Sequence, residues 1–536
     1  MKPRVGIVGG GPVGMTLALE LGRRGIPSVV FEQRKSTTHE PRCTLTNMRS
    51  MEHYRRLGVA DAIRAAGVPR DYRQDVVFAT RLCGREIHRF EYPSIGEAEK
   101  TGASVAFDHP AGAERPQRIS QIFLEPVLKA AIEAEPNVEV CFGWRVDGIE
   151  PAEDHVVVQA TGPGGAIREE RVDYLAACDG GGSMVRKGLN IAMEGHPAVG
   201  NNLGVFFRSR DLRARTPLGD ALFWWILNHE VRGVFIALDG RELYTYHQLV
   251  ELDLDIRHVD PVALVRAAAG ADIEVELEAI NPWQAHQLVA HRYREGRIFL
   301  VGDAAHLNQP TGGFGMNTGV GDACDLGWKL AAVLDGWGGA KLLDTYEAER
   351  RPIAVRNVAA AGRNAADLKR HAVPPSIEAD DAAGEMVRAL AGAQIAHGNR
   401  KEFESAGVQL GYHYGDSSIV VPDGTPPPPD DETEYTPIAR PGSRAPHLAL
   451  GGGEILYDRF GSGFTLLQLA AADPSPIVAA AAKRGVPLTV VKLDRDDARA
   501  LYAAPLVLIR PDQHVAWRGD AAPADPVQLI DTIRGA

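Results

Sequence analysis

Apolar positions along this chain follow two periods, and their order predicts the architecture. Val5–Val8 is a short apolar run, Gly9-Gly10-Gly11-Pro12-Val13-Gly14 breaks it, residues 15–22 resume at helical spacing, and Val29-Val30-Phe31 closes on Glu32. That order is strand, glycine turn, helix, strand. The same grammar returns near the middle. Arg297-Ile298-Phe299-Leu300-Val301 reads as a buried strand with Gly302-Asp303 at its carboxyl end, residues 309–317 form a glycine-rich loop, and 318–334 a long helix. Between these blocks the spacing predicts a helix over 48–57 and a hairpin over 76–90. Arg118-Ile119-Ser120-Gln121 then introduces an amphipathic helix over 122–133, and three strands of one sheet follow at 138–149, 156–160 and 169–175. The last strand runs into Cys178-Asp179-Gly180-Gly181-Gly182-Ser183, a second glycine-rich strand end.

From 201 to 290 the strands are rich in aromatics: Val205-Phe206-Phe207, Leu222-Phe223-Trp224-Trp225-Ile226, Val234-Phe235-Ile236 and Leu243-Tyr244-Thr245-Tyr246-His247. Such a sheet face is either plain core or a pocket for a flat apolar ligand. Helix is expected over 342–361, continuing to about 403. Residues 424–444 carry four consecutive prolines (Pro426 to Pro429) and Asp430-Asp431-Glu432, a composition that stiffens a connection without building a core. Strands at 464–467, 488–491 and 506–509 then alternate with helices at 476–483 and 526–533, with a hairpin strand at 514–518 fitting between. Asp525 is the expected N-cap of the last helix. The fold class is α/β, and 536 residues exceed one ordinary core.

A net charge of -12 argues against a general nucleic-acid binder, because there is no basic surplus to neutralise phosphates. No apolar run approaches membrane-spanning length, and the first strand begins too near Met1 to leave room for a signal segment, so a cytoplasmic enzyme is expected. The five cysteines, Cys43, Cys83, Cys141, Cys178 and Cys324, lack metal-ligand spacing and read as reduced structural thiols; no metal is expected.

The first block carries the clearest chemistry. Gly9 permits the tight turn, Gly11 lets backbone approach a pyrophosphate, and Gly14 lets the helix pack closely on the strand. Phosphates then lie over the helix N-terminus, where free N–H groups and the dipole favour anions. Glu32 can accept hydrogen bonds from a ribose diol. Arg42 is either a fork for pyrophosphate oxygens or an exposed surface arginine, and Gln121 either meets a ligand edge or caps its helix. Asp303 suits a ribitol or ribose hydroxyl.

Three motifs together resemble the flavin-dependent aromatic hydroxylases of the para-hydroxybenzoate hydroxylase type, the single-component class A monooxygenases: 9–14 with Glu32; Cys178-Asp179-Gly180 with Ser183 and Arg186; and Gly302-Asp303 through 310–317. Residues 41–57, Gly411-Tyr412-His413-Tyr414 and Arg444-Ala445-Pro446-His447 resemble the phenol, resorcinol and hydroxyphenylpropionate hydroxylase branch and its polyketide-tailoring relatives. The resemblance implies a Rossmann-like FAD-binding domain (1–190 and 291–375), an inserted β-rich substrate domain (191–290), a helical extension (376–423), the proline-rich linker (424–444) and a thioredoxin-like domain (445–536). That last domain has no Cys-x-x-Cys pair, so it reads as packing or dimerisation material.

By the same resemblance the cofactor is FAD, with NADPH or NADH as transient co-substrate. The residues expected to hold FAD are Gly9, Gly11, Pro12, Gly14, Glu32, Arg42, Arg118, Gln121, Asp179, Gly180, Asp303, Pro310, Gly313, Gly315, Met316 and Asn317. The N–H groups of Met316 and Asn317 would face the pyrimidine oxygen of the flavin, where reduced flavin carries negative charge. The implied reaction reduces FAD with NAD(P)H, adds O2 at the flavin C4a carbon, and passes the distal oxygen of the hydroperoxide to a phenolic ring in a dry pocket. A phenol has a reference pKa near tyrosine's, about 10, so a base or acceptor should help. Tyr244, Tyr246, His247 and Trp225 are candidates by region, but alternation places Tyr244 and Tyr246 on one face and His247 on the other. His306 is either an acid–base group or a satisfied structural histidine. A homodimer is expected. Alternatives are an epoxidase or Baeyer–Villiger tailoring oxygenase on a polycyclic substrate, a non-catalytic FAD-binding carrier, and a simple NAD-dependent dehydrogenase.

Overall fold

The computed structural model describes residues 2–250, 259–371 and 373–536; residues 251–258, part of the expected 191–290 domain, lie outside the described residues. A six-stranded sheet forms the centre, in the order Arg294–Glu295, Ile298–Leu300, Tyr174–Ala177, Val5–Val8, Ser28–Glu32, Val138–Phe142. Its last five strands pair in parallel, and only Arg294–Glu295 is antiparallel. Val5–Val8, Tyr174–Ala177 and Ile298–Leu300 are buried at every residue, as expected for strands covered on both faces. Helices Pro12–Arg23 and Phe314–Leu334 pack with this sheet in one hydrophobic core.

The expected 138–149 and 169–175 strands each divide between two sheets. Gly143, at φ 79°, turns the chain after Val138–Phe142. Arg145–Pro151, Val156–Thr161 and Ile167–Val172 then form a separate antiparallel sheet that drives Val156, Val158 and Ala160 into the shared core. The hairpin strands Val76–Ala79 and Glu86–Phe90, expected in the cofactor domain, instead extend the aromatic sheet. Val76–Ala79 pairs in parallel with Phe223–Leu227 and Glu86–Phe90 pairs antiparallel with Val76–Ala79 at the edge, completing eight strands that also include Met193–Arg208, Arg232–Ala237, Leu243–Val250, Glu276–Ala290 and His306–Leu307. The helix expected to run on to about 403 is broken: Thr345–Lys369 ends, and Ala382–Gly398 is a separate helix.

The C-terminal unit is a four-stranded sheet in the order Leu488–Lys492, Phe464–Gln468, Leu506–Ile509, Val515–Gly519. Helices Ser475–Lys483 and Pro526–Ile533 pack together against it, and Asp525 accepts from the Gln528 N–H at 2.9 Å as the expected N-cap. Phe464, Leu466, Ile530 and Ile533 share a core with Trp328 and Trp337, so the unit is clamped onto the long central helix. The proline-rich stretch is also held: Asp430 meets Arg356 at 2.7 Å, and Arg440 donates to the Thr425 carbonyl at 2.7 Å. No helix among the described residues is long and apolar enough to cross a membrane.

Candidate functional site: a cleft between three strand ends and an aromatic sheet

Parallel pairing brings the carboxyl ends of Val5–Val8, Tyr174–Ala177 and Ile298–Leu300 to one edge of the central sheet, the edge where open α/β sheets bind ligands. The three glycine turns therefore meet. A Cβ on Gly9 (φ 108°) would lie 2.2 Å from the Cys178 carbonyl oxygen, and one on Gly14 would lie 2.0 Å from the Gly9 oxygen. A Cβ on Gly319 would lie 2.6 Å from the Val13 side chain and 3.0 Å from the Gly302 Cα, so the first and third motifs are in contact. Arg186 ties the second to the third, donating to the carbonyls of Gly181 and Ala304 at 3.2 Å each.

Three observations show that this edge fits a dinucleotide. A Cβ on Gly11 would meet nothing within 4 Å, leaving backbone open where a pyrophosphate approaches. Pro12 occupies the first helical turn, where its missing N–H costs nothing. Glu32 is held at its strand end by the N–H groups of Gly10 and Arg34, 2.8 Å from its two oxygens, which fixes the carboxylate in position. Asp179 accepts from the Val185 N–H at 3.2 Å while its buried Oδ1 has no hydrogen-bond partner, and burial raises its pKa. Gln121 is half-buried, with its amide nitrogen donating to Glu125 at 2.7 Å. Arg42 remains exposed and meets Glu40 at 3.4 Å.

Asp303 keeps solvent-accessible surface although protein encloses it closely enough to raise its pKa, with His306 and Arg42 opposing that rise. Both properties together describe the wall of a cleft. Cys43 and His247 show the same combination. His306, by contrast, is fully buried: Nε2 meets Asp322 Oδ2 at 2.9 Å and Arg350 donates to Oδ1 at 2.7 Å, so it is a satisfied structural histidine.

Pro310, Gly312 (φ 84°) and Gly313 (φ 66°) lead into helix Phe314–Leu334, which has no side-chain cap. Its first N–H groups, those of Phe314, Gly315 and Met316, lack an intrahelical partner and are available to an anion. Asn317 does structural work: Oδ1 accepts from the Asn47 N–H at 2.9 Å, and Nδ2 donates to Leu45 and Gly313 carbonyls at 2.9 and 2.7 Å. This stitches the helix start to strand Leu45–Thr46, which pairs with Gln117–Arg118.

Cross-strand register places Phe78, Trp225, Val234 and His247 in one row on one face of the large sheet. Half-buried Trp225 stacks on Phe78 with centroids 6.0 Å apart. Half-buried Phe223 lies on the same face, 4.5 Å beneath the guanidinium carbon of Arg118. Burial lowers the His247 pKa to about 4, Nε2 meets Thr245 Oγ1 at 3.2 Å, and Nδ1 has no partner. Tyr244 and Tyr246 occupy the opposite face, fully buried. Tyr244 stacks on Phe207 at 5.9 Å and donates to the Arg241 carbonyl; Tyr246 packs on Phe235 at 4.5 Å and donates to Gln248. They are core residues, which corrects the expectation that they serve the pocket.

Sequence reasoning missed Glu402. It is buried, its Oε1 accepts from the Gly312 N–H at 3.3 Å, its Oε2 has no partner among the described residues, and burial raises its pKa to about 7. The next residue, Phe403, packs against Phe107 and Phe90 at 5.8 and 5.5 Å. Among the described residues, one cluster of acidic groups resembles a metal site, Asp325, Glu349 and Asp512. Cations already fill it: Lys329 lies 2.7 and 2.6 Å from Asp325 and Glu349, and Arg510 lies 2.6 Å from Glu349 and from Asp512.

Comparison with known proteins agrees with this geometry. Residues 2–361 match the FAD binding domain family, and residues 439–535 match the family described as aromatic-ring hydroxylase, C-terminal. The FAD-dependent monooxygenase apdD of Emericella nidulans is 33% identical over 96% of this chain and 87% of its own length. The structure of the rebeccamycin biosynthetic enzyme RebC with reduced flavin is 38% identical, with a TM-score of 0.91 over 100% of this chain and 99% of that one. Aklavinone-11 hydroxylase, solved with FAD and aklavinone, is 29% identical with a TM-score of 0.82, covering 100% and 99%. The chain belongs to the FAD-dependent aromatic-ring hydroxylases, flavoprotein monooxygenases with a Rossmann-like cofactor domain and this C-terminal domain.

Proposed function

We propose that this protein uses NAD(P)H and O2 to hydroxylate a phenolic ring held between the start of helix Phe314–Leu334 and the Phe223–Trp225 face of the large sheet. The observation that carries this reading is the continuity of the cleft. Asn317 at the start of helix Phe314–Leu334 donates to the Leu45 carbonyl, Leu45–Thr46 pairs with Gln117–Arg118, and Arg118 in turn lies on Phe223, so the cofactor edge and the aromatic face share one wall. One relative was solved with FAD and aklavinone bound together, which supports a cleft of this kind.

Bound FAD supplies the activated oxygen, and the chain's own residues prepare the site. Gly11 and the start of helix Pro12–Arg23 receive the pyrophosphate, helped by Arg42 and by the second motif at Asp179 and Gly180. Glu32 orients the adenosine ribose, Asp303 the ribityl region, and Gln121 contacts the cofactor. Of the Met316 and Asn317 N–H groups expected at the flavin, that of Met316 lies in the free first turn of the helix with that of Gly315, whereas Asn317 lies past that turn. The Gly315 and Met316 groups would stabilise negative charge on the flavin ring without reorganising. Half-buried Trp225, backed by the buried ring of Phe78, offers its free face to the substrate ring and excludes water. His247, neutral above about pH 4, offers a ring nitrogen to a phenolic hydroxyl. A cytoplasmic homodimer completes the proposal, to be checked by cell fractionation and sedimentation velocity.

The test is direct. Purified protein should be yellow with a flavin spectrum, and a panel of phenols should stimulate both NAD(P)H oxidation and O2 uptake with formation of hydroxylated product. Colourless protein, or flavin-loaded protein whose pyridine-nucleotide oxidation yields only hydrogen peroxide with every phenol, would sink the reading.

A further inference from the structure

Arg118 stands apart from the other large buried cations. Arg350 is held by Asp322, Arg444 by Glu52, Arg49 by Glu52, and Arg510 by Glu349, Asp325 and Asp512. Arg186 has two carbonyl acceptors. Arg118 is 5% exposed, and among the described residues no carboxylate comes within ion-pair distance of it. Its polar contact is a donation to Thr44 Oγ1 at 2.7 Å, and its guanidinium otherwise faces the rings of Phe223 and Phe107 at 4.5 and 5.6 Å. Burial without an anion pulls its pKa down to about 10, whereas the paired arginines are all raised.

An uncompensated cation in such a place is costly unless a ligand brings the missing charge. The FAD pyrophosphate has its own cradle at Gly11, where the N–H groups at the start of helix Pro12–Arg23 would receive it. The negative edge of a reduced flavin is already served by the free N–H groups of the Phe314–Leu334 start. Arg118 instead lies on Phe223, on the face of the sheet that presents Trp225.

We propose that Arg118 is a substrate anchor, and that the substrate is a planar aromatic carrying an oxyanion, either a carboxylate or an ionised hydroxyl, which the guanidinium receives as a fork. This rests on the aromatic-hydroxylase reading and deepens it by naming the substrate class. It also reassigns Arg118 from the cofactor, to which the family resemblance assigns it.

The experiment titrates the FAD-loaded protein with 2-naphthoate, naphthalene-2-carboxamide and 2-naphthol, following perturbation of the flavin absorbance. The wild type should bind 2-naphthoate on the order of tenfold or more tighter than the uncharged amide. Arg118→Gln should erase that preference and Arg118→Lys should keep part of it, each with unchanged FAD stoichiometry and melting temperature. If 2-naphthol tightens as pH rises from 7 to 9 in the wild type but not in Arg118→Gln, the ionised hydroxyl is the anion received. If only the naphthoate discriminates, it is the carboxylate. Equal affinity for naphthoate and amide, failure of the naphthoate to bind, or an Arg118→Gln variant that loses FAD would overturn the proposal. Protein that never holds FAD would instead overturn the hydroxylase reading.

Discussion

At the junction with the C-terminal unit, Arg510 spans Glu349, Asp325 and Asp512, Lys329 closes the same ring, and Arg49 and Arg444 share Glu52. Every one of these groups is buried, and each has opposite charge in hydrogen-bond contact. In the cleft the pattern reverses: among the described residues Arg118 has no carboxylate, and Glu402 Oε2, Asp179 Oδ1 and His247 Nδ1 have no partner. Buried polar groups in folded proteins are nearly always satisfied. The charged groups of the junction obey that rule within the chain, although the neighbouring His514 ring nitrogens do not, and the charged groups of the cleft obey it only when cofactor and substrate complete it. Unmatched burial thus separates the working region from the scaffold more sharply than polarity does.

Breaking the junction should have the largest effect. Arg510→Met leaves three buried carboxylates facing Lys329 alone and should cost about 3–5 kcal/mol in urea unfolding. Arg118→Met removes a cation that no carboxylate among the described residues pairs, and should leave stability unchanged or raised. Equal losses for the two variants would refute the contrast.

Glu402 sharpens the comparison through pH. Its folded pKa of about 7 lies above the ordinary 4.5, so the folded chain binds more protons than the unfolded one between those values. Stability from this group is full below pH 4.5 and is lost as pH rises through 7. Glu402→Gln should therefore match wild type near pH 4.5 and exceed it by roughly 3 kcal/mol at pH 8, read from denaturant midpoints. Parallel pH profiles for the two proteins would show that Glu402 has a partner charge.

Local signals made much of this legible in sequence. The strand–glycine–helix blocks are fixed by steric needs within a few residues, which is why the convergence of 9–14 with 302–319 could be anticipated. Pairing between distant segments could not: nothing in Val76–Ala79 announces its register against Phe223–Leu227. Alternation separated Tyr244 and Tyr246 from His247, but both faces of this sheet are apolar, so periodicity could not say which face meets the cleft. Glu402 is one carboxylate in a stretch that reads as plain helix, and its significance comes from burial beside Gly312. Arg118 is conspicuous only for what it lacks, and an absent partner leaves no trace in sequence.

Two smaller effects complete the contrast. Gly11→Ala adds a methyl that meets no protein atom within 4 Å, so the protein without cofactor should unfold as wild type does. The methyl enters the pyrophosphate path, so FAD affinity should fall by about tenfold or more, measured by fluorescence of released flavin. A loss of stability with normal FAD binding would mean that Gly11 serves the fold and not the ligand.

Tyr246→Phe removes a hydroxyl that donates to Gln248 at 3.0 Å within a closed aromatic core on the far side of the sheet. It should cost about 0.5–1.5 kcal/mol of stability, the net worth of one hydrogen bond, and leave kcat, KM and the fraction of reducing equivalents lost to peroxide unchanged. Trp225→Leu, one strand-face away, should do the opposite, holding stability better than turnover and raising peroxide release as water enters beside the substrate ring. If the tyrosine variant uncouples NAD(P)H oxidation from hydroxylation and the tryptophan variant does not, the cleft lies on the other face of the sheet and the paired-versus-unpaired reading of its residues fails with it.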